Sequence, residues 1–297
     1  MKLSMWIINN DLSEKYTTIP LIVNGERTIE SVRLFSYDGI PSGSGRNLYI
    51  GVFSDFFKSD CTPRVLLASN YDLIIVEQAT VLDIMNDIVL IFDKYREFEN
   101  KLKVASSSPN MFQDVLDVIH ELFKCPMLFG QKDLRILALT KQYTDEQVYD
   151  GWEEVKKFYT MPTKLINSSV APDMMKYPES IKTVAIPVTK NEHKHFRYQI
   201  RSNVYCNNRL WGHLYIYYHK DTVPMSVIQL ARYCADIYGY LLDNLVAKDT
   251  KSKNNVYAYL SDLLDGKPLD DEKLHIIKWQ LDLQPGQKLR LYKIIIN

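Results

Sequence analysis

The chain has 297 residues, enough for two or three domains, and its hydrophobic share of 46% and charged share of 24% are ordinary for a soluble globular protein. Lys and Arg together number 36, as do Asp and Glu, and this zero net charge argues against nucleic-acid binding by bulk electrostatics. The four cysteines form no CxxC pair and no apolar run approaches the roughly 18 residues of a membrane span, so we expect a cytoplasmic protein with no membrane partner.

Residues 1–78 are predicted to form a small β-rich domain with a mixed sheet. The runs "RNLYIGVFSDFF", "RVLLAS" and "YDLIIVEQ" are short, rich in β-branched and aromatic residues, and separated by turn residues. Such spacing is typical of successive short strands.

Residues 79–107 are predicted to form a connector helix with an apolar seam. The seam residues follow one another at intervals of four and three: Ile84, Ile88, Ile91, Tyr95, Phe98 and Leu102. This heptad spacing has two interpretations, which the sequence leaves open. The helix packs on a neighbouring domain, or the first five of these residues form the seam of a dimerising connector that carries a signal.

Residues 108–247 are predicted to contain, in order, a helix, two strands, a helix, a long loop, three strands and a long helix. Ser108 and Pro109 suit the N-cap and first turn of the first helix. The last two strands form a hairpin, because Asn207 and Asn208 tolerate the positive φ angles of a tight turn. The closing helix has an apolar stripe over 227–245, and a homodimer is expected to be held by the seam of the connector helix, by this stripe, or by both.

Residues 248–297 are predicted to be a linker followed by the start of another domain. The polar stretch "AKDTKSKNN" is interpreted as a linker or a frayed helix end. A helix then ends at Gly266, a second helix follows, and the strand "LRLYKIII" comes after a Pro-Gly turn. Because that strand has the pattern of one buried on both faces, we expect the natural protein to continue beyond Asn297.

The order of elements in 108–247, together with the hairpin "NNRLWGHLYI", resembles a GAF-like sensor domain, in which the first and last helices flank a central antiparallel sheet. The final segment resembles the opening of the regulator domain of the PucR/CdaR family, whose "xLLxG" helix end is matched by Leu263, Leu264 and Gly266 and whose first strand by "YKIII". The predicted fold class is therefore α+β: a β-rich N-terminal domain, a GAF-like sensor domain with an antiparallel sheet and flanking helices, and a truncated α/β C-terminal segment.

The resemblance implies the ligand-sensing and dimerising part of a bacterial transcription regulator. Its partners would be a small effector of unknown identity, a second copy of the chain, and DNA only through a helix-turn-helix that this sequence lacks. Two alternatives stay open: the sensor portion of an enzyme such as a GGDEF-type nucleotide cyclase, and a dimerisation scaffold without a ligand.

Large side chains of the GAF-like domain are the candidates for contact with a ligand, although plain core packing explains each of them as well. These candidates are Phe129, Trp152, Phe158, Tyr205 and Trp211. His193 and His195 lie two apart in "NEHKHF", and a solvated turn explains them better than a metal site does. We expect no catalytic residue, metal ion or cofactor, and no enzymatic activity.

Overall fold

The computed structural model describes residues 1–35, 45–52, 64–132, 135–160, 177–188, 196–269 and 277, with only the backbone of 246–258. It divides the chain into two compact units, Met1–Tyr238 and Gly239–Asn297. The first unit contains two five-stranded sheets with helices packed on them. The predicted α+β class is therefore confirmed. No helix in the described ranges is both long and apolar enough to cross a membrane.

The first sheet is mixed, as predicted for residues 1–78. Its elements are α1 (Met5–Leu12), β1 (Thr18–Leu21), β2 (Ser31–Leu34), β3 (Asn47–Val52), β4 (Val65–Ser69) and β5 (Asp72–Val76). The strand order is β1-β5-β4-β3-β2, with β2 and β3 parallel and the other neighbours antiparallel. The sequence prediction missed α1, a short helix whose first turn is capped by the Ser4 hydroxyl, which accepts a hydrogen bond from the Ile7 amide.

The connector helix is α2 (Val81–Ala105), and Thr80 caps its first turn. The five predicted seam residues are all buried within the chain. Four of them, Ile84, Ile88, Ile91 and Tyr95, belong to the core that α2 forms with α1 and the first sheet. Of the two interpretations of the heptad spacing, the helix packed on a neighbouring domain accounts for these side chains.

A buried carboxylate organises the turn that follows β1. Asp72 is almost fully buried at the start of β5. Its Oδ1 accepts hydrogen bonds from the amides of Val23 and Asn24, each at 2.8 Å, and its Oδ2 accepts one from Gly25 at 2.7 Å. A carboxylate that accepts three backbone hydrogen bonds holds a turn far more firmly than a neutral side chain does.

Replacing Asp72 with alanine is expected to lower the free energy of unfolding by about 2–3 kcal/mol, because three backbone donors lose their shared acceptor. Urea denaturation measures this change. Asp93→Ala is the matched control, since Asp93 is exposed on α2, and a surface change of this kind shifts stability by about 0.5 kcal/mol or less. Equal losses in the two variants would contradict the role given to Asp72.

The second sheet is antiparallel throughout. Its elements are α3 (Met111–Phe123), β6 (Met127–Gln131), β7 (Ile136–Leu139), α4 (Trp152–Phe158), β8 (Thr183–Pro187), β9 (Tyr198–Cys206), β10 (Arg209–Tyr218) and α5 (Met225–Leu264). The strand order is β7-β6-β10-β9-β8. A central antiparallel sheet with a first helix, α3, and a last helix, α5, packed against it is the predicted GAF-like arrangement. The hairpin turn is also confirmed, with φ angles of 48° at Asn207 and 60° at Asn208.

Two predicted element boundaries differ from the structure. Helix α3 begins at Met111 with Asn110 at its N-cap position, while the Ser108 hydroxyl accepts a hydrogen bond from the Asn110 amide. The predicted linker "AKDTKSKNN" is helical, and α5 continues unbroken to Leu264. The stretch is polar but contains neither Pro nor Gly, so nothing in it interrupts the backbone hydrogen bonds of a helix.

Helix α5 ends at the predicted glycine. Gly266 has a φ of +73°, its amide donates to the Leu263 carbonyl, and the Lys267 amide donates to the Asp262 carbonyl. This pair of bonds is the Schellman arrangement, which favours glycine because only glycine adopts positive φ without a steric cost. The predicted terminal strand lies outside the described residues.

Candidate functional site

The two faces of the second sheet differ in character because successive side chains of a strand point to opposite sides. On one side, Phe129 lies opposite Leu214, and Ile200 lies opposite Ile216. This side, the helix face, packs against α3 and α5. On the other side, Gln199 lies opposite Tyr217, and the row continues along both strands with Arg201, Asn203, His213 and Tyr215. We call this side the polar-aromatic face.

The helix face is closed by stacked aromatic rings. The ring of Phe129 lies 3.9 Å from that of Tyr238 on α5 and 5.6 Å from that of Phe112 on α3, measured between ring centroids. The Tyr238 hydroxyl donates to the Phe112 carbonyl at 2.9 Å. These contacts bind the first and last helices to the sheet and make this face a core.

A β-bulge places Trp211 on the helix face. Leu210 pairs with Tyr205 and Gly212 with Val204, so Trp211 is an extra residue in β10. Its ring stacks on Phe129 at 5.8 Å. The next position, Gly212, must be glycine, because a Cβ there would lie 2.2 Å from the carbonyl oxygen of Gly130 in β6.

One end of the polar-aromatic face is an aromatic cluster covered by α4. The Trp152 ring is perpendicular to those of Tyr149 and Tyr217, with centroids 5.4 Å and 5.8 Å away, and Phe196 lies 4.9 Å from Tyr217. Edge-to-face contacts of this kind add to the stabilisation that burial provides. Trp152 is fully buried.

Two buried polar atoms beside Tyr217 have no hydrogen-bond partner among the described residues: Gln199 Oε1, an acceptor, and Trp152 Nε1, a donor. The Tyr217 hydroxyl itself is hydrogen-bonded to Tyr149 and Gln199, and burial raises its pKa to about 12, so it stays protonated. Buried polar atoms in folded proteins nearly always have a partner. These two atoms are therefore the ones at this end of the face that still lack a hydrogen-bond partner among the described residues.

The other end of the face is a polar network that holds the segment leading into β8. Asn203 Nδ2 donates to the carbonyls of Glu179, at 3.1 Å, and Ile181, at 3.0 Å. Arg201 Nη2 donates to the Tyr177 carbonyl at 3.1 Å, and the Tyr205 hydroxyl donates to that of Glu179. This end of the sheet is thus occupied by the chain's own backbone.

His213 sits at the edge of this network, and its Nδ1 is 2.9 Å from Asn203 Oδ1. Burial, together with the nearby cations of Arg201 and Lys132, lowers the pKa of His213 to about 4, and the carboxylate of Glu179 opposes this shift only in part. The imidazole is therefore neutral near pH 7 and donates its Nδ1 proton to the Asn203 amide oxygen.

The stability of the protein is expected to fall between about pH 6.5 and about pH 4 because of His213. In this window the unfolded chain, with an ordinary histidine pKa of 6.5, binds a proton that the folded chain does not. Urea denaturation at pH 7 and pH 4.5 measures the loss. His213→Gln is expected to lose less stability than the wild type over this range. An equal loss in both proteins would contradict the shifted pKa.

The structure does not bring the five sequence-predicted ligand residues together. Phe129 and Trp211 lie on the helix face, whereas Trp152 and Tyr205 lie at opposite ends of the polar-aromatic face. Phe158, at the end of α4, is 57% exposed. Their contact with a ligand stays a prediction. The long loop expected to cover the site, which follows α4, lies largely outside the described residues.

The polar row of β9 is not among the sequence-predicted site residues. Gln199, Arg201 and Asn203 alternate with the buried Ile200 and Ser202 and are themselves almost fully buried. The available signal was the period-two repeat of long polar residues within an otherwise apolar hairpin. Within the described ranges no group of three His, Cys, Asp or Glu side chains is placed to hold a metal ion. His193 and His195 lie outside them.

No family model matches this chain, and no curated protein matches it. Solved structures that are similar to it include the cofactor-binding GAF domain of the nutrient sensor CodY from Clostridium difficile, with 14% identity and a TM-score of 0.34 over 50% of this chain and 95% of that one. The chromophore-binding domain of an unusual bacteriophytochrome from R. palustris has 9% identity and a TM-score of 0.36, over 63% of this chain and 70% of that one.

The chromophore-binding domain of the Stigmatella aurantiaca bacteriophytochrome has 10% identity and a TM-score of 0.35, over 62% of this chain and 71% of that one. All three TM-scores are below 0.5. The fold class therefore rests on the strand order and the placement of the helices.

Proposed function

We propose that this chain is the ligand-sensing part of a bacterial transcription regulator of the PucR/CdaR type, with a small metabolite bound at the polar-aromatic face of the GAF-like sheet. The observation that carries the proposal is the pair of buried, unpartnered atoms Gln199 Oε1 and Trp152 Nε1 beside Tyr217. No catalytic role is assigned to the chain.

The hydrogen-bonding character of these two atoms defines the chemistry of the proposed ligand. It must donate a hydrogen bond to the amide oxygen of Gln199 and accept one from the indole of Trp152. A hydroxyl group or a primary amide does both. The surrounding rings of Tyr149, Phe196 and Tyr217 favour a small molecule with an apolar or flat portion next to that group.

A metabolite screen by thermal denaturation tests the proposal, because a ligand that binds only the folded state raises the melting temperature with its concentration. For a compound found in this way, Trp152→Phe is expected to weaken the affinity about fivefold, since it keeps the buried ring but removes one hydrogen bond. Gln199→Met is expected to have a similar effect.

Trp211→Phe is the matched control, because it makes the same chemical change on the helix face. It is expected to leave the affinity unchanged. The proposal fails if no compound raises the melting temperature, or if Trp211→Phe weakens binding as much as Trp152→Phe does.

Regulation through DNA rests on the resemblance of the final segment. The helix end at Leu263, Leu264 and Gly266 has the "xLLxG" form of the PucR/CdaR regulator domain, and its Schellman bonds fit a helix that stops there. In this proposal the DNA-reading module lies outside the present chain. The gene sequence after Asn297 decides the matter: a helix-turn-helix supports the regulator, and a GGDEF-type loop favours a nucleotide cyclase.

The regulator is proposed to act as a homodimer, as two-fold operators require. Because the predicted seam is buried within the chain, the surface proposed for a second copy is the other side of α2, where Leu82, Val89 and Leu90 are exposed. Sedimentation equilibrium is expected to give twice the chain mass, and Val89→Asp is expected to reduce it to that of a monomer. A monomeric wild type at high concentration would remove this part of the proposal.

A further inference from the structure

A cavity of about 490 Å³ lies between the start of the chain, the segment before β2, helix α2 and the first half of α5. Its lining residues are Met1, Lys2, Arg27, Glu30, Phe92, Arg96, Glu99 and Tyr233. This volume is within the roughly 300–1,000 Å³ of small-molecule sites. The cavity is separate from the polar-aromatic face, none of whose residues line it.

Hydrogen bonds close in sequence to the lining residues join the segments that form this cavity. The Ser4 hydroxyl donates to Gln229 Oε1 on α5, and Gln229 Nε2 donates to the Gly25 carbonyl at 2.5 Å. The turn before β2 and the start of the chain are thus both held to α5. The cavity is a built feature of the unit Met1–Tyr238.

Arg27 is the unusual residue of the cavity. Its guanidinium lies over the ring of Tyr233, 4.7 Å from the ring centroid. Its Nη1 is buried and has no hydrogen-bond partner, and the side chain forms no ion pair, among the residues that the structure describes. Burial lowers the pKa of Arg27, and the carboxylate of Asp236 offsets this only in part. Arg27 as a whole is half-buried, and removing even part of a guanidinium from water without an anion is unfavourable.

The other charged groups of the cavity already have partners. Lys2 Nζ lies 2.7 Å from Glu30 Oε1, and the terminal amine of Met1 contacts Glu99 Oε2. Arg96 is paired with Asp93 at 2.7 Å. Both carboxylates in the lining are therefore neutralised, and the charge that remains uncompensated is the positive charge of Arg27.

We propose that this cavity binds a small anionic ligand, with a carboxylate or phosphate group against Arg27 and an apolar part against Phe92 and Tyr233. The planar fork of arginine binds both kinds of oxyanion through paired hydrogen bonds. The Tyr233 ring lies beside the Arg27 guanidinium, so it supplies the apolar surface next to the proposed anion.

Titrations of inorganic phosphate and of succinate, each compared with sodium chloride at equal ionic strength, test the proposal by thermal denaturation. At least one of the two anions is expected to raise the melting temperature of the wild type in a saturable way. Stabilisation by phosphate alone indicates that the natural ligand carries a phosphate group, and stabilisation by succinate alone indicates a carboxylate. Arg27→Gln is expected to weaken the affinity about tenfold or more, as the loss of a charge-assisted pair predicts.

Arg33→Gln is the matched control, because Arg33 is exposed on β2 and does not line the cavity; it is expected to respond as the wild type does. If Arg27→Gln fails to fold, Arg27→Lys takes its place, because it keeps the positive charge but loses the paired donors of the guanidinium. Titration calorimetry is then expected to show weaker anion binding to Arg27→Lys than to the wild type. Equal binding to the wild type and to the folded Arg27 variant, or no stabilisation beyond that of chloride, would overturn the proposal. Either of these two results would leave the proposed metabolite site at Trp152 and Gln199 untouched, because that site is separate from the cavity.

Discussion

Replacing Ile88 with alanine is expected to lower the free energy of unfolding by about 3 kcal/mol. Ile88 is fully buried in the core that α2 shares with α1 and the first sheet. Removing three carbons from such a position loses their transfer free energy and leaves a cavity. Urea denaturation monitored by circular dichroism measures the change.

Val104→Ala is the control for this substitution, since Val104 is on the same helix and 76% exposed. Its effect is expected to stay within about 0.5 kcal/mol. The two interpretations of the heptad spacing differ in a second observable, the mass of the assembly. A loss of dimer with no loss of stability in Ile88→Ala would show that the seam joins two chains, and would contradict the packing described for α2.

Replacing Trp152 with alanine is expected to destabilise the protein by about 4 kcal/mol, whereas Phe158→Ala is expected to cost about 0.5 kcal/mol or less. Both residues belong to α4 and both are large and aromatic. Trp152 is fully buried between Tyr149 and Tyr217, while Phe158 is mostly exposed at the end of the helix.

Thermal and urea denaturation of the two variants measure this difference. Trp152→Phe separates bulk from hydrogen bonding, because it keeps most of the ring and is expected to cost less than half as much as Trp152→Ala. If Phe158→Ala is as destabilising as Trp152→Ala, the exposure of Phe158 in this structure is wrong, and so is the burial pattern of α4.

Periodicity predicted which residues of α2 are buried but not what covers them. The spacing of Ile84, Ile88 and Ile91 is the same for a helix on a sheet and for a coiled coil, because both bury one stripe of a helix. The partner depends on contacts distant in sequence, with α1 and β3, which no local pattern encodes. The hairpin was predictable for the opposite reason, since the preference of Asn207 and Asn208 for positive φ is local.

The candidate site was predictable only in part. The bulge at Trp211 turns this side chain to the helix face, and alternation alone does not reveal a bulge. The buried row of Gln199, Arg201 and Asn203 was overlooked because polar residues are expected at the surface. Their burial follows from the segment Tyr177–Ile181, which lies over them.

The indole resonance of Trp152 provides the most direct test that a metabolite binds at the polar-aromatic face. The chain has four tryptophans, so an indole ¹⁵N–¹H spectrum contains few signals, and Trp152→Phe assigns the one that matters. A compound that raises the melting temperature is expected to shift the Trp152 signal, because its Nε1 gains a hydrogen-bond acceptor, and to leave that of Trp211 in place. A Trp152 signal that stays unmoved at saturating ligand would contradict the proposed site.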